Sequence, residues 1–152
     1  MRATGLTIER CVSADQPGWL DLRQALWPHG SAEEHRAEMA AFLDDPQRYV
    51  QLVAYATPRE PIGLAEASVR RDYVNGVESS PVAFLEGLFV VPHARRHGVA
   101  ATLVSAVRQW ARDQGCRELA SDALLDNAVS HAVHRALGFE ETERVVFFRC
   151  AL

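Results

Sequence analysis

Between an apolar run and a long helical pattern, this 152-residue chain carries the segment Pro92-His93-Ala94-Arg95-Arg96-His97-Gly98-Val99-Ala100. A loop that enters a helix on small residues leaves several backbone N–H groups without intrahelical acceptors, and such groups bind phosphate or pyrophosphate. Gly98 and Ala100 permit close approach, and Arg95 and Arg96 can add charge-assisted bonds. Arg-Arg-His-Gly is equally readable as a solvated turn. The segment lacks both the GxxxxGK of a nucleotide P-loop and the GxGxxG of a dinucleotide fold.

Glu86 is the second chemical signal. It stands between Leu85 and Gly87 inside an otherwise apolar run, where a carboxylate is costly unless it faces a polar pocket. Other constellations are weaker. His93 and His97, or His131 and His134, have helical spacing for a metal but lack an evident third ligand. Ser130, His134 and Asp122 could be drawn as a triad, yet nothing resembles a nucleophile elbow.

The elements that would position these groups follow from periodicity and punctuation. Thr7 to Val12 reads as a first strand and Pro17 to Leu26 as a helix, broken by Pro28 and Gly30. Ser31 and Glu34 form a capping box for a second helix that stops at Asp44-Asp45-Pro46. Tyr49–Ala56 and Ile62–Arg70 read as a hairpin around a Pro58–Pro61 turn. The run from Val82 to Val91 is too apolar for an edge and reads as a central strand, interrupted at Glu86 and Gly87. From Gly98 the apolar spacing becomes helical, with Leu103, Val104, Val107, Trp110 and Ala111 on one face and Gly115 as terminator. A short strand at Glu118–Ser121, a helix over Asn127–Leu137 ended by Gly138, and a last strand at Glu143–Cys150 complete an α/β (α+β) mixed sheet with helices on both faces.

Length and composition describe one domain of ordinary globular type. A formal charge of −4 argues against nucleic acid as a partner and suits a cationic ligand. The N-terminal residues lack a signal peptide's apolar core and no stretch approaches a membrane span, so a cytoplasmic protein is expected. Cys11, Cys116 and Cys150 fit neither a disulfide framework nor a metal knuckle, and no metal is expected.

Arg95-Arg96-His97-Gly98-Val99-Ala100 resembles the Q/R-x-x-G-x-G/A signature of GNAT acetyltransferases, following Leu88-Phe89-Val90-Val91-Pro92 as it does in that family. Asn127, His134 and Ala136-Leu137-Gly138-Phe139 are similar to the family's downstream motif. Leu26-Trp27-Pro28, Arg71 to Gly76, Ser79-Ser80-Pro81, Phe84 to Gly87 and Gly138 to Val145 look like the bacterial aminoglycoside 6′-N-acetyltransferases (type I).

This resemblance implies acetyl transfer from acetyl-CoA to an aminoglycoside amine by direct attack, without a covalent enzyme intermediate, and hence antibiotic resistance. It implies a bulge at about Glu86-Gly87 and a central strand that splays from Glu118–Ser121. Pantetheine would then pair with the backbone of Leu88, Phe89 and Val90, and the diphosphate would sit on Arg95, Arg96, His97, Gly98, Val99 and Ala100. Glu86, Asp122 and Glu143 match acidic positions of the acceptor site, with Trp27 and Tyr73 as walls. Glu86 or Asp122, through water, is the candidate for taking the ammonium proton. His134 stands where many relatives place a tyrosine acid, and either donates a proton or packs and caps. Asn127 bonds the pantetheine arm, caps its helix, or does both. A homodimer is expected as well. A GNAT enzyme for another amine (a polyamine, a peptide N-terminus or a protein lysine) and a CoA-binding module without turnover are the alternatives.

Overall fold

The computed structural model describes residues 5–152. Its elements are β1 (Thr7–Arg10), α1 (Trp19–Leu26), α2 (Ala32–Leu43), β2 (Tyr49–Ala56), β3 (Glu60–Arg70), β4 (Val82–Val90), α3 (Val99–Asp113), β5 (Leu119–Ala120) and α4 (Ala128–Ala136). The strands form one sheet in the order β1-β2-β3-β4-β5. Its first three pairings are antiparallel, and β5 runs parallel to β4.

Alternation along β2 and β3 divides the sheet into two covered faces. Leu52, Ala54, Ala65, Ala67 and Val69 meet the buried stripe of α3, built from Val99, Leu103, Val104, Val107, Trp110 and Ala111. Val53, Tyr55 and Leu64 point the other way, onto Trp19 and Leu22 of α1 and Met39 of α2. Each large apolar side chain buried this way stabilises the fold by roughly 1.5–3 kcal/mol, so both layers are firmly attached. The capping box of α2 forms as its sequence suggests: Glu34 N–H donates to Ser31 Oγ at 3.1 Å, and Ser31 N–H donates to the Glu34 carboxylate at 3.2 Å.

The α1/α2 face also holds a buried polar cluster that periodicity alone does not flag as one unit. Glu66 accepts from Trp19 Nε1 at 2.8 Å and is ion-paired with Arg23, which also pairs with Glu38. His35 Nε2–H donates to the Trp27 carbonyl at 3.1 Å, which leaves Nδ1 free to accept from Arg23 Nε at 3.2 Å. Burial pushes the Glu66 carboxyl upward from its ordinary value, and the Arg23 charge pulls it back. The cluster ties both helices to β3 beside the irregular stretch of β4.

One expected element is absent. Residues 143–150 form no strand: the chain from Glu141 to Leu152 is exposed throughout, with Phe147 and Phe148 at 85% and 93% exposure. A strand exists only when a neighbour completes its hydrogen bonds, and no strand of the described chain meets this one. The apolar alternation is present in the sequence, but none of the described strands pairs with it. Two smaller boundaries also shift. β1 stops at Arg10, with Cys11 N–H still donating to Gln51 at 2.9 Å, and β5 shortens to two residues.

Candidate active site

The site begins with a miscount between two strands. Glu66 opposes Gly87 and Ala67 opposes Leu85, so Glu86 is the extra residue of a bulge in β4. A bulge turns a side chain that would otherwise face the core. Glu86 emerges on the sheet's rim, where Ser68 Oγ donates to it at 2.6 Å and Arg70 binds both its oxygens at 2.8 and 3.0 Å. Arg70 in turn lies over the Phe84 ring at 3.7 Å. The polar environment that a carboxylate in this strand requires is therefore partly supplied by the neighbouring strand.

On its other edge β4 pairs with β5 only at Ala83–Leu119 and Phe84–Ala120. Past those two rungs the strands part, and the outer edge of Leu85–Val90 meets no strand among the described residues. Unpaired N–H and C=O groups along a strand edge accept an extended ligand as readily as another strand. Glu86 and Asp122 each lie two residues beyond the last rung, one on each side of the opening. Asp122 is exposed and makes no hydrogen bond or ion pair among the described residues.

Trp27 packs against the bulge. A Cβ on Gly87 would stand 2.5 Å from its ring, so the indole comes this close only because residue 87 has no side chain. Tyr73 sits on the loop between β3 and β4 and is largely exposed. Glu143 belongs to the extended C-terminal arm, and its side chain is not brought to Glu86 or Asp122 by any contact within the described chain.

Beyond Val90 the chain makes a short 3-10 turn at Pro92–Ala94 and then the entry to α3. Arg96 has φ 64° and Gly98 φ 81°. A left-handed residue followed directly by a helical one, as Gly98 before Val99, is the backbone alternation of which anion-binding nests are made. The first bond of the helix runs from Thr102 N–H to Gly98 O at 3.0 Å. Among the described residues the N–H groups of 96–101 donate to no protein acceptor. Space is open above them: nothing lies within 4 Å of where a Cβ on Gly98 would be. Arg95 is held by its Nε donating to Val90 O at 2.8 Å, while Arg96 and His97 are exposed.

On α4, Asn127 caps the helix through Oδ1, which accepts from Ser130 N–H at 3.1 Å. His134 is half-buried, with its ring nitrogens near Ser121 and Ser130 and its edge against Phe139. The metal geometries weighed for the histidine pairs do not assemble. His93 faces Glu60, His131 faces the Leu124 carbonyl, and among the described residues no three His, Cys, Asp or Glu side chains converge.

The bulge at Glu86 and the parting of β4 from β5 stand where the family resemblance implies them, whereas Ser68, Arg70, Ser121 and the Arg23–Glu66 cluster are not singled out by sequence. A signal for part of this exists. Glu66 and Ser68 occupy alternate positions of an apolar strand, so both must share one buried face and require partners there.

The Acetyltransferase (GNAT) family model matches residues 18–139. The chain is 53% identical over 131 residues to an aminoglycoside N(6′)-acetyltransferase type 1 of Acinetobacter genomosp. 13, covering 86% of this chain and 88% of that one. It is 49% identical over 152 residues to the enzyme of that name from Stenotrophomonas maltophilia, covering 100% and 97%. Among solved structures, the aminoglycoside antibiotic 6′-N-acetyltransferase AAC(6′)-Ih from Acinetobacter baumannii superposes with a TM-score of 0.91 at 48% identity, covering 97% and 99%. AAC(6′)-Iy, in complex with the bisubstrate analogue CoA-S-monomethyl-acetylneamine, superposes at 0.92 and 44%, covering 98% and 100%. With the family model spanning residues 18–139 and sequence and fold agreeing over nearly the whole chain, the protein belongs to the GNAT family of acetyltransferases, among the aminoglycoside 6′-N-acetyltransferases of type 1.

Proposed function

We propose that this protein transfers the acetyl group of acetyl-CoA to the 6′-amino group of aminoglycosides and so confers antibiotic resistance, acting in the cytoplasm. The observation that carries this reading is its end-to-end likeness to a relative crystallised with CoA joined to acetylneamine. The diphosphate binds the N–H groups of the turn from Arg96 to Ala101, and pantetheine lies along the free edge of Leu88, Phe89 and Val90. Asn127, already capping α4, borders this arm. The acceptor's ammonium groups meet carboxylates, which attract them and offset their desolvation. No helix among the described residues is long and apolar enough to cross a membrane.

The two rim carboxylates then divide the work. Glu86 already receives Arg70 and Ser68, so it anchors an ammonium group rather than removing its proton. Asp122 is unpaired among the described residues and takes the proton, through water, that frees the amine to attack. Thiol release from acetyl-CoA with kanamycin or tobramycin tests the activity: a 6′-acetylated product supports it, and release only with polyamines or peptides replaces it with another acceptor. Cofactor binding with no release from any amine leaves only a CoA-binding module. Glu86→Gln is expected to raise the acceptor KM and Asp122→Asn to lower kcat by about 10²-fold, the usual scale for a general base, with the KM for acetyl-CoA nearly unchanged. Equal activity in both variants removes the two residues from the site.

The reading includes a homodimer. Val145, Val146, Phe147 and Phe148 are exposed on the arm, and Leu124, Leu125 and Val129 are exposed around the free side of β5 and α4. An arm with strand alternation and a sheet edge with uncovered apolar neighbours are the two halves of an exchanged strand between copies. Such an exchange also brings Glu143 to an acceptor site. Light scattering is expected to give the mass of two chains for the intact protein and of one chain after removal of residues 143–152. A monomer at micromolar concentration of the intact protein overturns the dimer.

A further inference from the structure

We infer that Ser121 hands the departing CoA thiolate its proton, with His134 behind it as the source. The inference rests on the acetyl-CoA reading above and deepens it. Ser121 is the first residue after β5, half-buried, at the place where β5 parts from β4. Its Oγ lies 2.8 Å from His134 Nε2. The other ring nitrogen, Nδ1, lies 2.7 Å from the Ser130 carbonyl oxygen and 3.2 Å from Ser130 Oγ.

These distances fix the direction of the chain. A carbonyl oxygen only accepts, so Nδ1 carries a hydrogen, and in the neutral ring Nε2 must accept from the Ser121 hydroxyl. When the ring holds a second proton the direction reverses: Nε2–H donates to Ser121 Oγ, and the serine's own hydrogen turns outward to the opening. The ring is held for this, with its edge packed on Phe139 at 5.2 Å between centroids and its helix end tied by Arg108 to the Leu137 carbonyl.

The step balances without further reagents. The amine nitrogen bonds to the acetyl carbon, the C–S bond breaks, and its electron pair goes to sulfur. Sulfur takes the Ser121 hydrogen while Ser121 takes the one on His134 Nε2. The imidazole is left with its hydrogen at Nδ1, the form the Ser130 carbonyl stabilises, and regains its proton from water. Ser121 is thus the catalytic residue and His134 acts through it. Because Ser121 Oγ takes up the Nε2 hydrogen of His134, the hydrogen presented to the sulfur is the serine's own.

The test exploits shape. Thr and Val have nearly the same outline, so Ser121→Thr and Ser121→Val differ by the hydroxyl. With acetyl-CoA and tobramycin, Ser121→Thr is expected to keep the single-turnover rate within about threefold and Ser121→Val to lower it about 10²-fold, the lower range for general acid catalysis. His134→Gln, which can still bond to Ser121 but has no proton to give, is expected to fall with Ser121→Val. The readout a structural brace would not move is leaving-group dependence. With S-acetyl-4-nitrothiophenol, whose thiolate leaves without help, Ser121→Val should lose no more than about fivefold, since the acid's contribution vanishes. Equal losses with both thioesters, or full rate in Ser121→Val, overturn the relay. Calorimetry with CoA separates the two readings: wild-type protein that does not bind CoA brings down the acetyl-transfer reading, whereas CoA binding with an indifferent Ser121→Val brings down the relay alone.

Discussion

Gly98→Ala raises the KM for acetyl-CoA by about 10- to 100-fold, the equivalent of one or two charge-assisted hydrogen bonds, while Gly115→Ala leaves it unchanged. The pair is matched. Gly98 has φ 81° and Gly115 φ 82°, and at neither would a Cβ meet anything within 4 Å. Each substitution therefore costs the same left-handed strain, about 1–2 kcal/mol. They differ in what lies above them. Gly115 terminates α3, whereas a methyl group at 98 enters the open space beside the turn whose N–H groups 96–101 are free, the space proposed for the phosphate oxygens. Steady-state kinetics and thermal melts of both variants decide the matter. Equal melting shifts with a KM effect only at 98 assign the turn to the cofactor, and equal KM values would return it to a solvated turn.

Arg23→Ala lowers stability by about 3–5 kcal/mol, the usual cost of leaving one partner of a buried ion pair alone. For a chain of this size that corresponds to a fall in Tm of roughly 10–15 °C. The sign with pH follows from Glu66. Its carboxyl is already raised by burial, and without Arg23 it loses the charge that pulls it back. A carboxyl with a raised folded value favours the protonated form in the folded state, so stability is present below the unfolded carboxylate range and lost as pH rises through the folded value. The variant is thus least stable relative to wild type at neutral pH and recovers as the medium is acidified. Adding Glu66→Gln to Arg23→Ala removes the buried charge and restores much of the loss. Urea melts of the three proteins at neutral and mildly acidic pH test this, and a variant that melts with wild type at neutral pH refutes it.

What could be read from sequence follows from how local each cause is. The α2 capping box, the α3 stripe and the hairpin β2–β3 depend on neighbours within a few residues, and all appear where spacing puts them. Glu86 was legible because a carboxylate in an apolar run violates the local pattern. Arg70 and Ser68 were not, since their part in the site depends on a register between two strands that only the bulge sets. The arm at 143–150 fails for a related reason. Its alternation is correct for a strand, but alternation alone does not provide the neighbouring strand that completes a ladder. His134 stands out by motif, and only the folded chain reveals that its Nε2 meets Ser121 Oγ while its Nδ1 meets the Ser130 carbonyl.

Tyr73 sits on a loop that carries little of the packed interior, while Trp27 is wedged between the Arg23 cluster and Gly87. The two residues proposed as walls of the acceptor pocket are therefore unequally free to evolve. Selection by a new antibiotic can rewrite residues 71–76 at slight expense to folding, whereas a change at residue 27 unsettles the packing between the Arg23 cluster and Gly87. Shifts in drug range should enter this protein through its outer rim, leaving the centre of acetyl transfer untouched.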